Sequence, residues 1–197
     1  MLNGKFHMDM EYTQGYSFRA ELYWRDTRMF KHRIGASLDD STIFKTNDGW
    51  LFAGIDNYTQ FNGVVRVREV IKMDFWLGCY VRAGQYFFDI RCMSLTRDEP
   101  FFAARLEPSR NGFLGWYIPE DDRRQPSEAQ LWQLEGFDPA HLAVGYWLNG
   151  MTLRSPRGHA VKRLYQQGFP YLSESSSGED GILMIKVVQV GQGYPFP

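Results

Sequence analysis

The segment Tyr16-Ser17-Phe18-Arg19-Ala20-Glu21-Leu22-Tyr23-Trp24 alternates between apolar and polar side chains. In an extended chain, successive side chains point to opposite faces, so one face would carry Phe18, Ala20, Leu22 and Trp24. The opposite face would carry Ser17, Arg19 and Glu21. Alternation with a period of two is typical of a strand with one buried face. The segment therefore predicts a β-strand that packs its apolar side against a core.

Two further stretches have strand character. Residues 64–73 also alternate, with Arg66 and Arg68 on one side and Val65 and Val67 on the other. Residues 182–190 are nearly all apolar, which predicts a strand buried on both faces. Aromatic side chains, which favour strands, make up 16% of the chain and occur from end to end.

Turn dipeptides separate many of the apolar runs. The four pairs are Asp48-Gly49, Asn62-Gly63, Asn111-Gly112 and Asn149-Gly150. Such pairs readily adopt the positive φ angles that two-residue hairpin turns require. Together with the strand patterns, they predict a mostly antiparallel all-β protein.

Helical patterns are short. Residues 126–134 begin with Pro126 and an early Glu128, so they could form a short helix or a strand, and both alternatives stay open. Asp138-Pro139 could open another helical turn. Residues 173–180 are rich in Ser and acidic residues and predict a solvated loop before the last strand.

Composition limits the classes of protein. The 197 residues include 22 basic and 23 acidic side chains, giving a net charge of -1. This balance argues against a nucleic-acid binder and against a polybasic membrane-surface domain. No apolar run is long enough for a membrane span. The chain is long enough to bury a core without a disulfide or a metal.

The start of the chain lacks the pattern of a signal peptide, which predicts a cytoplasmic protein or one exported without a leader. A tight turn at residues 82–84 would set Cys79 opposite a residue near 87, too far from Cys92 for a disulfide. We therefore expect two free, buried thiols.

The chain contains a weak threefold repeat. Residues 43–51, 106–114 and 153–161 each look like a strand, a polar turn with glycine and a second strand. An apolar strand follows each of them, at residues 85–90, 130–135 and 181–186. Aligning Phe87, Trp132 and Leu183 gives spacings of 45 and 51 residues. Three large apolar side chains at such spacings predict a shared plug in the core of a barrel.

Gln130-Leu131-Trp132 resembles the QxW box of the ricin-type β-trefoil lectins. Gln85-Tyr86-Phe87 is similar to a degenerate copy, whereas the third unit lacks both Gln and Trp. The resemblance implies a β-trefoil over residues 40–197, with residues 1–39 as an N-terminal β extension. A β-sandwich or an α+β domain is the alternative.

The resemblance also implies sugar pockets, in which an aromatic ring stacks on the sugar and polar side chains bind its hydroxyls. The candidates are Asp48, Trp50 and Asn57 in the first unit and Asn111, Trp116 and Tyr117 in the second. In the third unit, Arg157 and His159 stand where an acid is expected.

The sequence lacks recognisable catalytic motifs: it has no GxSxG, HExxH, Walker loop or CxxC. We therefore predict a non-enzymatic protein that binds carbohydrates or glycoconjugates and needs no cofactor or metal. The alternative is a protein-binding β domain, such as an inhibitor, an immunity protein or a toxin accessory component, with loops 118–128 and 173–180 reaching the partner. The sequence leaves the oligomeric state open.

Overall fold

A computed structural model describes residues 10–38, 49–54, 58–61, 64–67, 69–93, 103–118, 126–166 and 168–194. The strands in these ranges are β1 (Glu11–Tyr12), β2 (Phe18–Arg25), β3 (Lys31–Leu38), β4 (Trp50–Ala53), β5 (Tyr58–Phe61), β6 (Val64–Val67), β7 (Glu69–Lys72), β8 (Asp74–Arg82), β9 (Gln85–Met93), β10 (Arg105–Pro108), β11 (Leu114–Tyr117), β12 (Trp132–Glu135), β13 (Trp147–Arg154), β14 (Lys162–Gln166), β15 (Phe169–Ser173) and β16 (Ile182–Val190). Short 3₁₀ turns at Gln14–Tyr16, Glu128–Gln130 and Pro139–His141 are the helical elements in these ranges.

Nine strands close into a β-barrel, in the order β2, β16, β13, β12, β9, β10, β11, β4, β3 and back to β2. Strand β8 pairs with β2 along one edge and with β9 along the other. Strands β15 and β14 continue the sheet beyond β4, and β5 and β6 form a separate hairpin. The predicted all-β class is confirmed.

Strand β2 has the one-sided burial that its sequence predicts. Phe18, Ala20, Leu22 and Trp24 are buried, and the residues between them are half-buried. Strand β16 alternates in the same way and buries Leu183, Ile185 and Val187. The prediction that residues 182–190 are buried on both faces is therefore wrong, because β16 is a wall strand whose second face lies outside the barrel core.

The β8–β9 hairpin is buried on both faces over most of its length. Its inner face adds Phe75, Leu77 and Phe88 to the main core. Its outer face carries Trp76, against which Tyr12 from β1 and Tyr194 near the C-terminus pack. Segments from both ends of the chain thus cover the hairpin, and this explains why neither strand has a solvent-facing stripe.

The hairpin turn at Ala83-Gly84 explains the cysteine geometry. Both residues have positive φ, 51° and 76°, as a type I′ turn requires. The resulting register sets Cys79 opposite Phe88, four residues from Cys92. At about 3.4 Å per residue, that offset is about 14 Å, beyond the reach of a disulfide. Neither thiol is in a disulfide, and both are buried, as predicted.

The turn dipeptides have two different roles. Asn111-Gly112 lies in the hairpin between β10 and β11, as predicted, but in a three-residue loop in which only Gly112 has a positive φ, of 82°. Strands β5 and β6 pair on either side of residues 62–63, which lie outside the described residues, as does Asp48. The hairpin predicted at Asn149-Gly150 is wrong. These residues lie inside β13, where the register against β16 shifts between Leu148 and Met151. A β-bulge can use the same positive φ, here 81° at Gly150, as a hairpin turn does.

Residues 126–134 contain both of the predicted alternatives. Ser127 and Gln130 form a capping box around the single turn Glu128–Gln130, and β12 then begins at Trp132. The turn predicted at Asp138-Pro139 forms at Pro139–His141.

The finer trefoil prediction is not confirmed. Trp132 and Leu183 lie in the main core, whereas Phe87 packs in a smaller cluster with Tyr80 and Leu131. The three aligned residues therefore do not form one plug. In addition, β2 and β3, from the segment assigned to an N-terminal extension, are wall strands of the barrel itself. The described part of the chain contains no helix with the length and apolar character that crossing a bilayer requires.

Candidate functional site

Two of the predicted sugar-binding residues meet on the outer face of the barrel. Trp50 on β4 is paired with Gly115 on β11, and Tyr117 follows Gly115 by two residues on the same strand. A Cβ atom on Gly115 would be 3.1 Å from the Trp50 ring and 3.4 Å from the Tyr117 ring. The absence of a side chain at position 115 lets both rings lie over the strand. Asp48 and Asn57, the other candidates of the first unit, lie outside the described residues.

The other predicted residues lie elsewhere. Trp116 is only 7% exposed, because β11 turns it inward. Its ring packs 5.5 Å from the Phe75 ring, and its indole N–H donates to the Met73 sulfur at 3.1 Å. Asn111 is exposed in the β10–β11 turn. In the third unit, Arg157 forms an ion pair with Glu174.

A cleft of about 240 Å³ opens between the 3₁₀ turn Pro139–His141 and β13. Its walls combine aromatic rings, a carboxylate, an imidazole, an amide and two apolar side chains. The lining residues are Gly136, Asp138, His141, Tyr146, Trp147, Leu148, Asn149 and Met151. None of these was among the site residues predicted from the sequence.

The 3₁₀ turn holds one wall of the cleft. Asp138 caps it, with one carboxylate oxygen accepting the Ala140 N–H at 2.9 Å. The other carboxylate oxygen lies 3.2 Å from Nδ1 of His141. The His141 ring is stacked almost parallel to Tyr146, with 6.3 Å between ring centres. The carboxylate and both rings therefore lie side by side along this wall of the cleft.

The bulge in β13 shapes the opposite wall. Asn149 stands at the bulge, and its amide donates to the Trp147 carbonyl at 3.2 Å. Trp147 lies on the outer face of β13, with its ring centre 5.1 Å from that of Tyr23. The Lys31 ammonium lies 4.0 Å from the centre of the Trp147 ring. These contacts fix the Trp147 ring at the edge of the cleft.

The cleft is lined by groups that can contact a small polar ligand. Within the described ranges, no group of three or more His, Cys, Asp or Glu side chains is arranged to hold a metal ion. The cleft can offer ring faces, hydrogen-bond acceptors and an amide donor to a small polar ligand.

A second polar group lies on the outer face of the β8–β9 hairpin. Asp89 pairs with Arg91 at 2.9 Å and with Arg105 at 3.0 Å, and all three side chains are buried. Arg91 also donates to the Ala103 carbonyl at 3.2 Å. The group joins β9 to β10, so we assign it a structural role.

The sequence contained a signal for the cleft. Residues 138–149 hold an acid, a histidine, two adjacent aromatics and an asparagine. Both ends of this stretch stand out, Asp138-Pro139 as a helical turn and Asn149-Gly150 as a turn dipeptide. Their convergence depends on the bulge in β13, and the sequence pattern predicts a hairpin turn there instead.

Comparisons of the chain with protein-family models, curated proteins and solved structures give no match.

Proposed function

We propose that this protein is a non-enzymatic carbohydrate-binding protein and that it binds its sugar in the cleft beside β13. The observation that supports the proposal is the convergence of Tyr146, Trp147, Asp138 and Asn149 around one open space. An aromatic ring beside a carboxylate and an amide provides both kinds of contact that a sugar offers. The C–H face of the sugar packs on the ring, and its hydroxyls form directional hydrogen bonds.

The size of the cleft limits the ligand. Pockets for drug-sized ligands are roughly 300 Å³ or larger, and this cleft is about 240 Å³. A single sugar residue suits such a space, with the rest of a glycan extending into solvent. Asp138 would accept hydrogen bonds from sugar hydroxyls, and Asn149 could both donate and accept.

The resemblance of residues 130–132 to the QxW box supports a sugar as the ligand. A β-trefoil is the fold that this resemblance implies. The sugar contacts that it implies include Trp50 and Tyr117, which share one surface over Gly115. This pair is a second candidate surface for the same function. The two surfaces make different predictions for mutation, so one experiment separates them.

A protein-binding role is the second candidate function. Val144 and Tyr146 are exposed apolar side chains next to the cleft. Exposed apolar side chains that lie together can mark a protein interface. A partner would then cover the rim of the cleft and insert a side chain into it.

The test begins with a glycan array probed with the labelled full-length chain, followed by calorimetry on the best ligand. We expect Trp147→Ala to weaken binding at least tenfold, roughly 1.4 kcal/mol, and Trp50→Ala to leave it unchanged. Thermal melting of both variants shows whether each is folded. The reverse result would move the sugar site to Trp50 and Tyr117. An absence of glycan binding, together with a stable protein partner in a pull-down, would overturn the proposal and support the second function.

A further inference from the structure

The turn between β2 and β3 exposes two adjacent apolar side chains. Met29 is 67% exposed and Phe30 is 62% exposed. They lie in the turn just beyond the last pair of the β2–β3 ladder, Arg25 with Lys31. We refer to residues 27–30 as the β2–β3 tip.

Asp26 holds this tip in one conformation. One of its carboxylate oxygens accepts the N–H groups of Arg28 and Phe30, both at 3.0 Å. The other oxygen lies 3.1 Å from Nε2 of His32 and accepts from Arg163 at 3.1 Å. The Asp26 side chain is buried. The tip is therefore anchored to β3 and β14, although the side chains of Met29 and Phe30 are exposed.

The hairpin turn itself explains the backbone of Met29. The Met29 N–H donates to the Asp26 carbonyl at 3.0 Å, and the Asp26 N–H donates to the Phe30 carbonyl at 3.1 Å. A three-residue hairpin loop of this kind needs its last residue in the left-handed region, and Met29 has a φ of 70°. The exposed Met29 and Phe30 side chains add no packing to the fold.

The charge around the tip is positive. Arg28 and Lys31 flank the apolar pair, and both side chains are exposed. Neither forms an ion pair with another described residue. The nearby carboxylates are already paired: Asp26 and Glu179 with Arg163, and Asp180 with Lys162. Neither cation therefore has a carboxylate partner among the described residues, and the Lys31 ammonium lies over the Trp147 and Tyr23 rings.

We propose that the β2–β3 tip docks on an anionic lipid surface. Met29 and Phe30 insert among the headgroups, and Arg28 and Lys31 lie against the lipid phosphates. Two apolar side chains flanked by cations match the apolar interior and the negative surface of such a bilayer. With so few inserted groups, the binding is weak and reversible.

The tip and the cleft are neighbours. Lys31, which follows the tip, lies over the Trp147 ring that lines the cleft. A docked tip would bring the cleft to the level of the headgroups. The lipid proposal rests on the tip alone, and it stands whether or not the cleft binds sugar.

The experiment is co-sedimentation of the full chain with vesicles that contain no glycolipid. One set consists of phosphatidylcholine and the other contains phosphatidylglycerol as well. We expect binding to the anionic vesicles only, decreasing as salt is added because the cations are screened. The double variant Met29→Ser with Phe30→Ser should bind at least roughly tenfold more weakly.

Two further variants make the result specific. Ile118 is 71% exposed and follows β11, on the far side of β4 from the tip, so Ile118→Ser should bind like the wild type. Met29→Gly keeps the positive φ without strain and removes the side chain, so it should fold well and bind more weakly. The proposal is overturned if the wild type leaves the anionic vesicles unbound, or if the folded tip variants bind as tightly as the wild type.

Discussion

Asp26 connects the tip to the body of the protein, and its protonation state affects stability. Burial alone would raise the pKa of this carboxyl. The hydrogen bonds from His32, the Phe30 amide and Arg163 outweigh burial and lower the pKa from 3.8 to about 2. A carboxyl with a lowered pKa stabilises the folded state fully above its unfolded pKa. This contribution is lost as the pH falls from about 3.8 through about 2.

We therefore predict a pH-dependent effect of Asp26→Asn. At neutral pH the variant should lose about 3 kcal/mol of unfolding free energy, because Arg163 loses a charged buried partner. The difference from the wild type should shrink as the pH falls below about 4. Denaturant titrations at pH 7, 5, 4 and 3 measure it.

The matched control is Asp180→Asn, which removes an 81% exposed carboxylate that pairs with Lys162. A surface pair of this kind should change stability by less than about 1 kcal/mol at any of these pH values. A difference for Asp26→Asn that stays constant with pH would show that the carboxylate charge is not what stabilises the tip.

At the scale of single residues, local alternation predicted burial, whereas the sugar site stays a prediction. The alternation in residues 16–24 identified Phe18 and Trp24 as core residues correctly, because the period of a strand is a local property. Trp116 was predicted at a sugar site, yet it faces the core. Whether an aromatic ring faces inward depends on strand register, and a single isolated Trp carries no register information.

At the scale of elements, the β8–β9 hairpin is buried on both faces, and Gly78 is a tightly constrained position within it. A Cβ on this residue would lie 2.2 Å from the Trp76 ring, which packs against the hairpin at this point. We predict that Gly78→Ala costs about 2 kcal/mol, because the ring must move. Tyr194 packs edge-on against the same ring, so the C-terminal segment should also loosen.

Thermal melting and limited proteolysis of the C-terminal segment test this prediction. Gly15→Ala is the matched control, since nothing lies within 4 Å of its Cβ position and its φ is not positive. It should melt like the wild type. Equal melting temperatures for both variants would show that Trp76 has room to shift.

The contrast between two Asn-Gly pairs shows how far local sequence predicts an element. At 111–112 the pair forms a hairpin turn, and at 149–150 it forms a bulge within a continuous strand. Both geometries need a positive φ at glycine, so the dipeptide alone cannot distinguish them. The choice is made by β16, which pairs with β13 on both sides of the bulge.

At the scale of the whole molecule, barrel closure depends on pairings that no local pattern reveals. Strand β2, near the start of the chain, pairs along its full length with β16, near the end. The edge of β9 that faces away from β8 pairs with β12 along one part and with β10 along another. Hairpin signals predict pairing between strands that are adjacent in the sequence. They do not predict pairing between distant strands. For this reason the sequence predicted the all-β class, whereas the nine-stranded ring became apparent only from the structure.

Barrel closure makes a final prediction about the two thiols. Cys79 and Cys92 both face the main core, and burial raises the pKa of the Cys79 thiol to about 12. Because the thiolate is the reactive form, neither cysteine should react with iodoacetamide in the folded protein. Both should be alkylated in denaturant.

If the barrel opens as one unit, the two thiols become labelled at the same rate under native conditions, and that rate follows global unfolding. Mass spectrometry of single-cysteine variants, Cys79→Ala and Cys92→Ala, measures each rate. Faster labelling of one thiol would mean that the β8–β9 hairpin opens locally and that the ring is not a single cooperative unit.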